Sequence, residues 1–340
     1  MKKIINKPED FVKETMEGII AAYGDRVKLY RDDFRILLSD YPVKPGKVGL
    51  VTAGGSGHLP VFLGYVGSGM LDGCTVGNVF ASPSATKMAK MIQACDFGSG
   101  VLCLFGNYGG DKMNFRQAME DCELEGIPCR SVIVTDDVAS SPAGLENRRR
   151  GVAGMVYAFK CAGAAANRMM SLDEVSAVAE KAVKNTRTMG AALSPCIVPE
   201  AGVPTFFIGK DEVEIGMGIH GEKGIEVHKM MTADELTDIL MGRILVDMPL
   251  GENDEVSVMV NGLGATPMEE QFIVYRRAAQ ILKDKGVSVW MPHIGEYATS
   301  MEMAGVSVTV FKLDNQLKEL LADPANTPFY TNANRLEVSL

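Results

Sequence analysis

An apolar run that leads directly into a glycine turn restricts the fold of this chain more than any other feature. Residues 100–105 read GVLCLF, which is typical of a strand buried on both faces of a parallel sheet. The turn NYGGD follows at 107–111, then a helical pattern over 111–124 and a second apolar strand over 129–135. Strand, glycine turn, helix and strand in this order predict a βαβ unit and therefore an α/β fold.

The same alternation continues along the chain, which at 340 residues exceeds the usual size of a single hydrophobic core. An amphipathic helix is predicted over 8–24 and a helical connector over 149–187. We therefore predict two α/β domains with mixed or parallel sheets, 1–188 and 189–330, and a tail over 331–340. The other predicted strands are 47–53, 205–208, 213–219, 255–261, 287–291 and 306–313; the other predicted helices are 59–65, 84–95, 232–246 and 266–283.

Composition excludes several classes of partner. The net charge of -9 argues against nucleic acid, since nothing here would replace phosphate counterions over an extended face. No window approaches 18 apolar residues and no signal peptide is visible, so no membrane partner is expected. Seven cysteines without a CxxC pair indicate reduced, buried thiols in a cytoplasmic protein. The basic run 148–150 is short and predicts a solvated helix start or a contact between subunits.

Two of the four histidines lie in glycine-flanked turns that follow predicted strands. His58 closes AGGSGH at 53–58, and His220 lies in GMGIHGEKG at 216–224, while Asp111 ends the NYGGD turn. Glycine lets the backbone approach a ligand closely, and ligands gather at the carboxyl ends of strands in such sheets. The three turns therefore predict one small-molecule site with two imidazoles and one carboxylate.

Each of these residues also has a structural interpretation. The structural alternative for His58 is a helix cap in a tight strand-to-helix turn, because its loop lacks the endings of a Walker A or dinucleotide-binding motif. Asp111 fits equally as an acidic cap, and His220 as a buried imidazole bonded to backbone. His228 and His293 lack glycine context and are interpreted as structural. Since no HxxxH, CxxC or HxH spacing occurs, no metal site is predicted.

Five motifs, taken in order, resemble those of the substrate-binding subunit of dihydroxyacetone kinases. They are FASP after GGSGH, NYGGDKMNF at 107–115, GMGIHGEKG at 216–224, NGLGATP at 261–267 and TSMEMAGVSVTVFKLD at 299–314. The resemblance extends from about residue 10 to residue 322. It implies a pair of α/β domains, usually in a homodimer.

The resemblance also implies a role for each site residue. His220 matches a histidine that bonds covalently to the ketone carbon as a hemiaminal. Asp111 and His58 match residues that act at the reacting hydroxyl as hydrogen-bond partners and base. The substrate-binding positions implied by the same turns are Gly55, Ser56, Gly57 and Gly106.

The implied reaction is phosphorylation of a terminal hydroxyl of a short-chain ketose. This chain itself is expected to bind no cofactor. A separate helical nucleotide-binding subunit would bring ATP or ADP with Mg²⁺, or the phosphotransferase system would supply the phosphoryl group.

Two departures from the family pattern leave alternatives open. The family commonly reads GGGSGHEP, whereas Leu59 replaces the glutamate here and Ala53 precedes only two glycines. Gly106 stands where the family often has a lysine that reaches the substrate. A four-carbon ketose such as erythrulose is one explanation, and a non-catalytic ketose sensor that acts on a transcription regulator is another. Asp111 beside His58 favours an enzyme.

Overall fold

The structure is a computed structural model that describes residues 2–333. Its strands are β1 (Val27–Tyr30), β2 (Asp33–Ser39), β3 (Gly49–Ser56), β4 (Gly73–Val79), β5 (Val101–Gly106), β6 (Cys129–Val134), β7 (Thr186–Ala192), β8 (Glu212–Ile215), β9 (Glu226–Lys229), β10 (Glu255–Gly262), β11 (Ser288–Val289), β12 (His293–Glu296), β13 (Gly305–Leu313), β14 (Ala325–Asn326) and β15 (Thr331–Asn332). Its α-helices are α1 (Phe11–Tyr23), α2 (Ala85–Ala94), α3 (Gly109–Leu124), α4 (Met155–Asn167), α5 (Leu172–Lys184), α6 (Ala233–Asp247), α7 (Met268–Asp284) and α8 (Asn315–Ala322).

The chain forms two compact units, each with its own sheet. The first unit consists of residues 2–134, 155–182 and 315–333, and the second of residues 135–154 and 183–314. The predicted α/β class with mixed sheets is confirmed. The units are interleaved along the sequence, so they provide no single boundary with which the predicted division at 188 and 189 could be compared.

The sheet of the first unit has the strand order β1-β2-β4-β3-β5-β6. Strands β4, β3, β5 and β6 run parallel, and the antiparallel β2 and β1 extend the β4 edge. Every residue of β5 is buried, as its continuous apolar sequence predicts. Helices α2 and α3 cover the sheet through side chains such as Met88, Ile92 and Phe115, which pack on Val51 and Cys103.

The sheet of the second unit has the order β11-β10-β13-β7-β8-β9, with β12 also paired to β10. Only the pairs of β10 with β11 and β12 are parallel among the described strands of this sheet. Helices α6 and α7 pack on it through Leu240 and Ala278, which join Val258 and Val308 in one core. A mixed sheet agrees with the sequence of this region, in which predicted strands alternate with glycine turns and helices.

The helix predicted over 59–65 is wrong. A cis peptide bond joins Leu59 to Pro60, and only a 3-10 turn forms at Leu63–Tyr65. Proline disfavours the helical conformation of the preceding residue, so Leu59 cannot easily begin a helix. The segment also has no polar face, since Val61, Phe62 and Tyr65 are all buried.

The helical stretch predicted over 149–187 forms as α4 and α5, but its interpretation as a connector is wrong. Helix α4 begins only at Met155, and it is a core element of the first unit that contacts β3 and β5. Its small residues permit close packing: a Cβ on Gly163 would lie 2.5 Å from the Met70 Cα. Strand β7 forms over Thr186–Ala192, where no strand was predicted, while the predicted strand over 205–208 does not form.

Two further predictions concern the C-terminal tail and the absence of a membrane-spanning segment. Thr331–Asn332 of the predicted tail pairs with Ala325–Asn326, while residues 334–340 lie outside the described residues. Within residues 2–333, each helix is either too short or too polar to cross a membrane.

Candidate functional site

Three loops meet at the carboxyl edge of the first unit's sheet. They follow β3, β4 and β5, which are neighbouring parallel strands and so end at the same edge. The loop after β3 carries His58, the loop after β4 carries Phe80, and the loop after β5 leads to Asp111 in the first turn of α3. Two of the predicted glycine turns are therefore brought to one edge, with the β4 loop in contact with both.

His58 is held at this edge by aromatic rings. Its side chain is 1% exposed and stacks on Phe80, with ring centroids 4.8 Å apart, and its ring meets Phe62 edge-on at 6.1 Å. The Phe80 N–H donates to the Ser56 carbonyl, and the Ser56 hydroxyl donates to the Gly77 carbonyl. No α-helix follows directly, so His58 does not cap one, and that structural alternative is excluded.

The glycines before His58 allow the loop after β4 to pack closely. A Cβ on Gly55 would lie 2.7 Å from the Ala81 nitrogen, and one on Gly54 would lie 2.2 Å from the Phe62 ring. Gly57 has a φ of +98°, which favours glycine. These contacts explain the glycines structurally; the substrate contacts predicted for Gly55, Ser56 and Gly57 stay predictions.

Asp111 faces inward from the first turn of α3. Its side chain is buried, and its charge adds to the effect of burial in raising the pKa of the Cys74 thiol on β4. Helix α3 is anchored by Phe115, whose ring stacks on Phe105 of β5 at 4.4 Å. A carboxylate in a first turn is favoured by the helix dipole, so a capping role and a catalytic role remain compatible. Gly106, the last residue of β5, is buried next to this turn.

Asn114 is a residue that sequence reasoning did not single out. Its side-chain amide donates to the Ser82 hydroxyl at 3.3 Å and to the Pro83 carbonyl at 2.8 Å. It therefore ties α3 to the loop after β4. The only signal for it was its place in the NYGGDKMNF motif.

His220 belongs to the second unit, in the turn that joins β8 to β9. The turn closes on itself: the Gly218 N–H donates to the Glu222 carbonyl, and the Gly221 N–H donates to the Gly218 carbonyl, both at 3.0 Å. Gly216 and Gly221 have φ values of +81° and +82°, which other residues rarely adopt. The glycine density of the motif is thus required by the path of the backbone.

Glu222 holds the imidazole of His220. One carboxylate oxygen accepts from the His220 backbone N–H, and the other lies 2.9 Å from the ring nitrogen Nδ1. Burial acts to raise the pKa of Glu222, but the hydrogen bond and charge of His220 outweigh it and lower that pKa to about 2. Glu222 is therefore a carboxylate at neutral pH. Its contact with the ring of His220 differs from the structural alternative, in which a buried imidazole is bonded to backbone. An acidic residue two positions after the histidine was the available signal.

The remaining histidines have local partners. His228 Nε2 lies 2.8 Å from Glu226 Oε2, and the buried His293 lies 3.4 Å from the Ser257 hydroxyl. Within residues 2–333, no three His, Cys, Asp or Glu side chains form a group suited to a metal ion. The prediction of no metal stays a prediction.

Comparison with known families matches residues 17–329 to the Dak1 domain. The chain is 42% identical over 330 residues to the dihydroxyacetone-binding subunit DhaK of PTS-dependent dihydroxyacetone kinase 2 from Listeria innocua, covering 97% of this chain and 99% of that subunit. It is 41% identical over 334 residues to an L-erythrulose kinase from Pectobacterium atrosepticum, covering 97% of this chain and 56% of that kinase.

Solved structures show the same likeness. The dihydroxyacetone kinase operon co-activator Dha-DhaQ aligns with a TM-score of 0.89 at 29% identity, covering 96% of this chain and 99% of the co-activator. The dihydroxyacetone kinase of C. freundii aligns with a TM-score of 0.87 at 28% identity, covering 97% of this chain and 60% of that kinase. The chain is thus similar to kinases and to a co-activator.

Proposed function

The chain belongs to the Dak1 domain family, as the resemblance of its motifs predicted, and on that premise we propose that it is the ketose-binding subunit of a dihydroxyacetone-type kinase. The near-complete coverage of a dihydroxyacetone-binding subunit supports this assignment. In this proposal the chain captures a short-chain ketose, and a partner subunit transfers a phosphoryl group to a terminal hydroxyl.

The contact between His220 and Glu222 carries the proposal. When Nδ1–H donates to the Glu222 carboxylate, the lone pair of the neutral ring lies on Nε2. A neutral imidazole oriented in this way is a competent nucleophile toward a carbonyl carbon. His220 thereby becomes the residue that adds to the ketose.

The addition is balanced in electrons and protons. Nε2 forms a bond to the carbonyl carbon, and the π pair of the C=O bond moves onto oxygen. The oxygen gains one proton and becomes a hydroxyl, while Nδ1 releases one proton through Glu222 and the ring ends neutral. Because a polyol such as glycerol has no carbonyl, it cannot form this bond, which makes the capture selective.

Asp111 and His58 are assigned to the reacting hydroxyl. Asp111 accepts the proton as phosphoryl transfer proceeds, and His58 is its hydrogen-bond partner at the hydroxyl. A positioned base of this kind contributes roughly 10²–10⁴-fold to a rate. Their places after β5 and β3, at one sheet edge, support a shared task.

The phosphoryl donor is assigned to a partner. We propose a helical nucleotide-binding subunit with ATP or ADP and Mg²⁺, or a donor linked to the phosphotransferase system as the name of the Listeria relative indicates for that protein. A homodimer in the cytoplasm completes the proposal. The seven free cysteines within the described chain suit a reducing compartment.

Native mass spectrometry tests the capture step directly. We expect wild-type protein incubated with dihydroxyacetone to gain the mass of one ketose, and His220→Ala to lose that gain. His228→Ala is the matched control, because His228 also contacts a glutamate but lies outside the glycine turn. An adduct on His220→Ala as abundant as on wild type would contradict the covalent role.

The co-activator likeness gives a second candidate, a ketose sensor without kinase activity. The L-erythrulose kinase relative likewise makes a four-carbon substrate a specific alternative. Phosphorylation assays with dihydroxyacetone, D-erythrulose and L-erythrulose, in the presence of ATP and a helical nucleotide-binding subunit, separate the three. Adduct formation with no phosphorylated product from any ketose would favour the sensor.

A further inference from the structure

The basic run at 148–150 is not a solvated helix start. Arg149 is fully buried and binds Asp247 through both of its terminal nitrogens. Arg150 has a side chain only 14% exposed, and its Nε donates to Asp137 Oδ2 at 2.7 Å. Two of the three arginines therefore form ion pairs within the second unit.

Arg150 also bonds to the turn that carries His220. Its Nη2 donates to the Gly216 carbonyl at 2.9 Å, at the point where the chain leaves β8 and enters the turn. Its own backbone N–H donates to the Ser140 hydroxyl at 2.9 Å. A single guanidinium thus links the segment after β6 to the first residue of the His220 turn.

Asp137 fixes the direction of this guanidinium. The Ala139 backbone N–H donates to Asp137 Oδ1 at 3.0 Å, which orients the carboxylate. Burial raises the pKa of Asp137 to about 6, against the lowering effect of Arg150. Asp136 lies behind it and is held by the Thr188 hydroxyl and by the Val152 and Gly154 N–H groups.

The guanidinium also lies beside the carboxylate that orients His220. A Cβ on Gly218 would lie 2.1 Å from Glu222 Oε2 and 2.5 Å from Arg150 Nη1. The two charged groups therefore flank the position that this Cβ would occupy. The charged groups that these contacts place around Arg150 are Asp137 from the segment after β6 and Glu222 from the turn.

This arrangement affects whether His220 can act as a nucleophile. A carboxylate beside an imidazole stabilises the imidazolium form, which has no lone pair for addition. A neighbouring cation offsets that effect while the Glu222 hydrogen bond to Nδ1 is retained. The position of Arg150 thus matches a requirement of the addition.

We propose that Arg150, oriented by Asp137, is a positioning residue for ketose capture: it anchors the His220 turn at Gly216 and balances the charge of Glu222. The proposal rests on the function proposed above and deepens it. It assigns a role to a basic motif that the family resemblance left unexplained.

The test compares Arg150→Gln with Arg187→Gln. Arg187 is a matched control, because its side chain is 13% exposed and also forms an ion pair within the second unit, with Asp247. The fraction of protein carrying a dihydroxyacetone adduct is measured by native mass spectrometry from about pH 5.5 to about pH 9, across the range in which histidine titrates. Thermal unfolding of both variants is measured in parallel.

We expect Arg150→Gln to capture ketose about tenfold less well near neutral pH, the effect of losing one charge-assisted interaction. The midpoint of its capture curve should also move to higher pH, because Glu222 loses its balancing charge. Arg187→Gln should lose comparable thermal stability and keep the wild-type curve. Arg150→Lys should restore the pH midpoint of ketose capture more than the amount of ketose captured. Lysine keeps the positive charge but lacks the planar guanidinium that can bind two acceptors at once.

The outcomes separate the two proposals. If wild-type protein forms no adduct with dihydroxyacetone or either erythrulose, the proposed function is wrong. If wild type and Arg150→Gln share the same capture curve, only the role of Arg150 is overturned. If Arg150→Gln does not fold, Asp137→Asn decides instead: it removes the carboxylate that orients the guanidinium and leaves Glu222 in place, and a wild-type curve for it would overturn the proposal.

Discussion

His58 and His220 both follow a strand and both lie among glycines, yet different interactions hold them. His58 is 1% exposed, and its ring is fixed by Phe80 and Phe62 at the carboxyl edge of the parallel strands of a mixed sheet. His220 has a side chain 22% exposed and is fixed by Glu222 within a turn that closes on itself. Aromatic rings from the loops after β3 and β4 hold the first imidazole, whereas a carboxylate of its own turn holds the second.

The largest expected difference between the two regions is in their tolerance of a methyl group. At Gly55 a Cβ would meet the backbone of Phe80 and Ala81 within 2.8 Å, and neither can move away easily. Gly55→Ala should therefore lower the free energy of unfolding by about 3 kcal/mol or more. At Gly221 the cost is the φ of +82° and a 3.1 Å approach to the Thr205 side chain, about 1–2 kcal/mol.

Urea denaturation of both variants measures this comparison. Gly109→Ala provides a control in the first unit, because a Cβ there would meet nothing within 4 Å. If Gly55→Ala and Gly221→Ala lower the free energy of unfolding equally, the two regions are equally rigid. That result would contradict the contrast drawn from packing.

The next expected effect separates phosphoryl transfer from ketose capture. Asp111→Asn should keep the ketose adduct and lower the rate of phosphorylation roughly 10²–10⁴-fold, because the amide cannot accept the proton. The measurement is product formation with ATP and a helical nucleotide-binding subunit. Asp121→Asn is the control, since Asp121 is an exposed carboxylate on the same helix. Unchanged turnover in Asp111→Asn would exclude it as the base.

A smaller effect is expected at the turn itself. Glu222→Gln keeps an acceptor for Nδ1 but removes the charge, so adduct formation should fall about tenfold. Glu226→Gln makes the same chemical change at His228, where Glu226 Oε2 lies 2.8 Å from the ring. Adduct formation is followed by native mass spectrometry. A loss of equal size in both variants would mean that the effect is not specific to His220.

The sequence predicted elements best where one local pattern decided the structure. The apolar run of β5 and the helical spacing of α1, α3 and α7 predicted these four elements and the α/β class. The segment 59–65 was misread because its buried residues lack any periodic polar face. Strand β7 was not predicted, because only its pairing with β13 and β8 identifies Thr186–Ala192 as a strand.

The residues of the candidate site divide in the same way, into those that a local sequence pattern identified and those that only the structure identifies. The glycine turns identified His58, Asp111 and His220 because those turns are local. Arg150 could not be linked to the turn from the sequence, since its bond to Gly216 spans 66 positions. Glu222 is local and was within reach of the same reasoning: an acid two residues after a histidine in a closed turn can bind its ring.

The smallest expected effect concerns acid stability and sharpens the view that charge holds the His220 turn. The pKa of Glu222 is lowered from 4.5 to about 2, so its ionised form is stabilised by folding. That contribution is complete above pH 4.5 and is lost as the pH falls toward 2. The melting temperature of wild type should therefore exceed that of Glu222→Gln near neutral pH, and the gap should narrow on acidification. Since about a third of the Glu222 side chain is exposed, solvent screens the interaction and the gap will be modest. A gap that does not change with pH would mean that shape, and not charge, holds the turn.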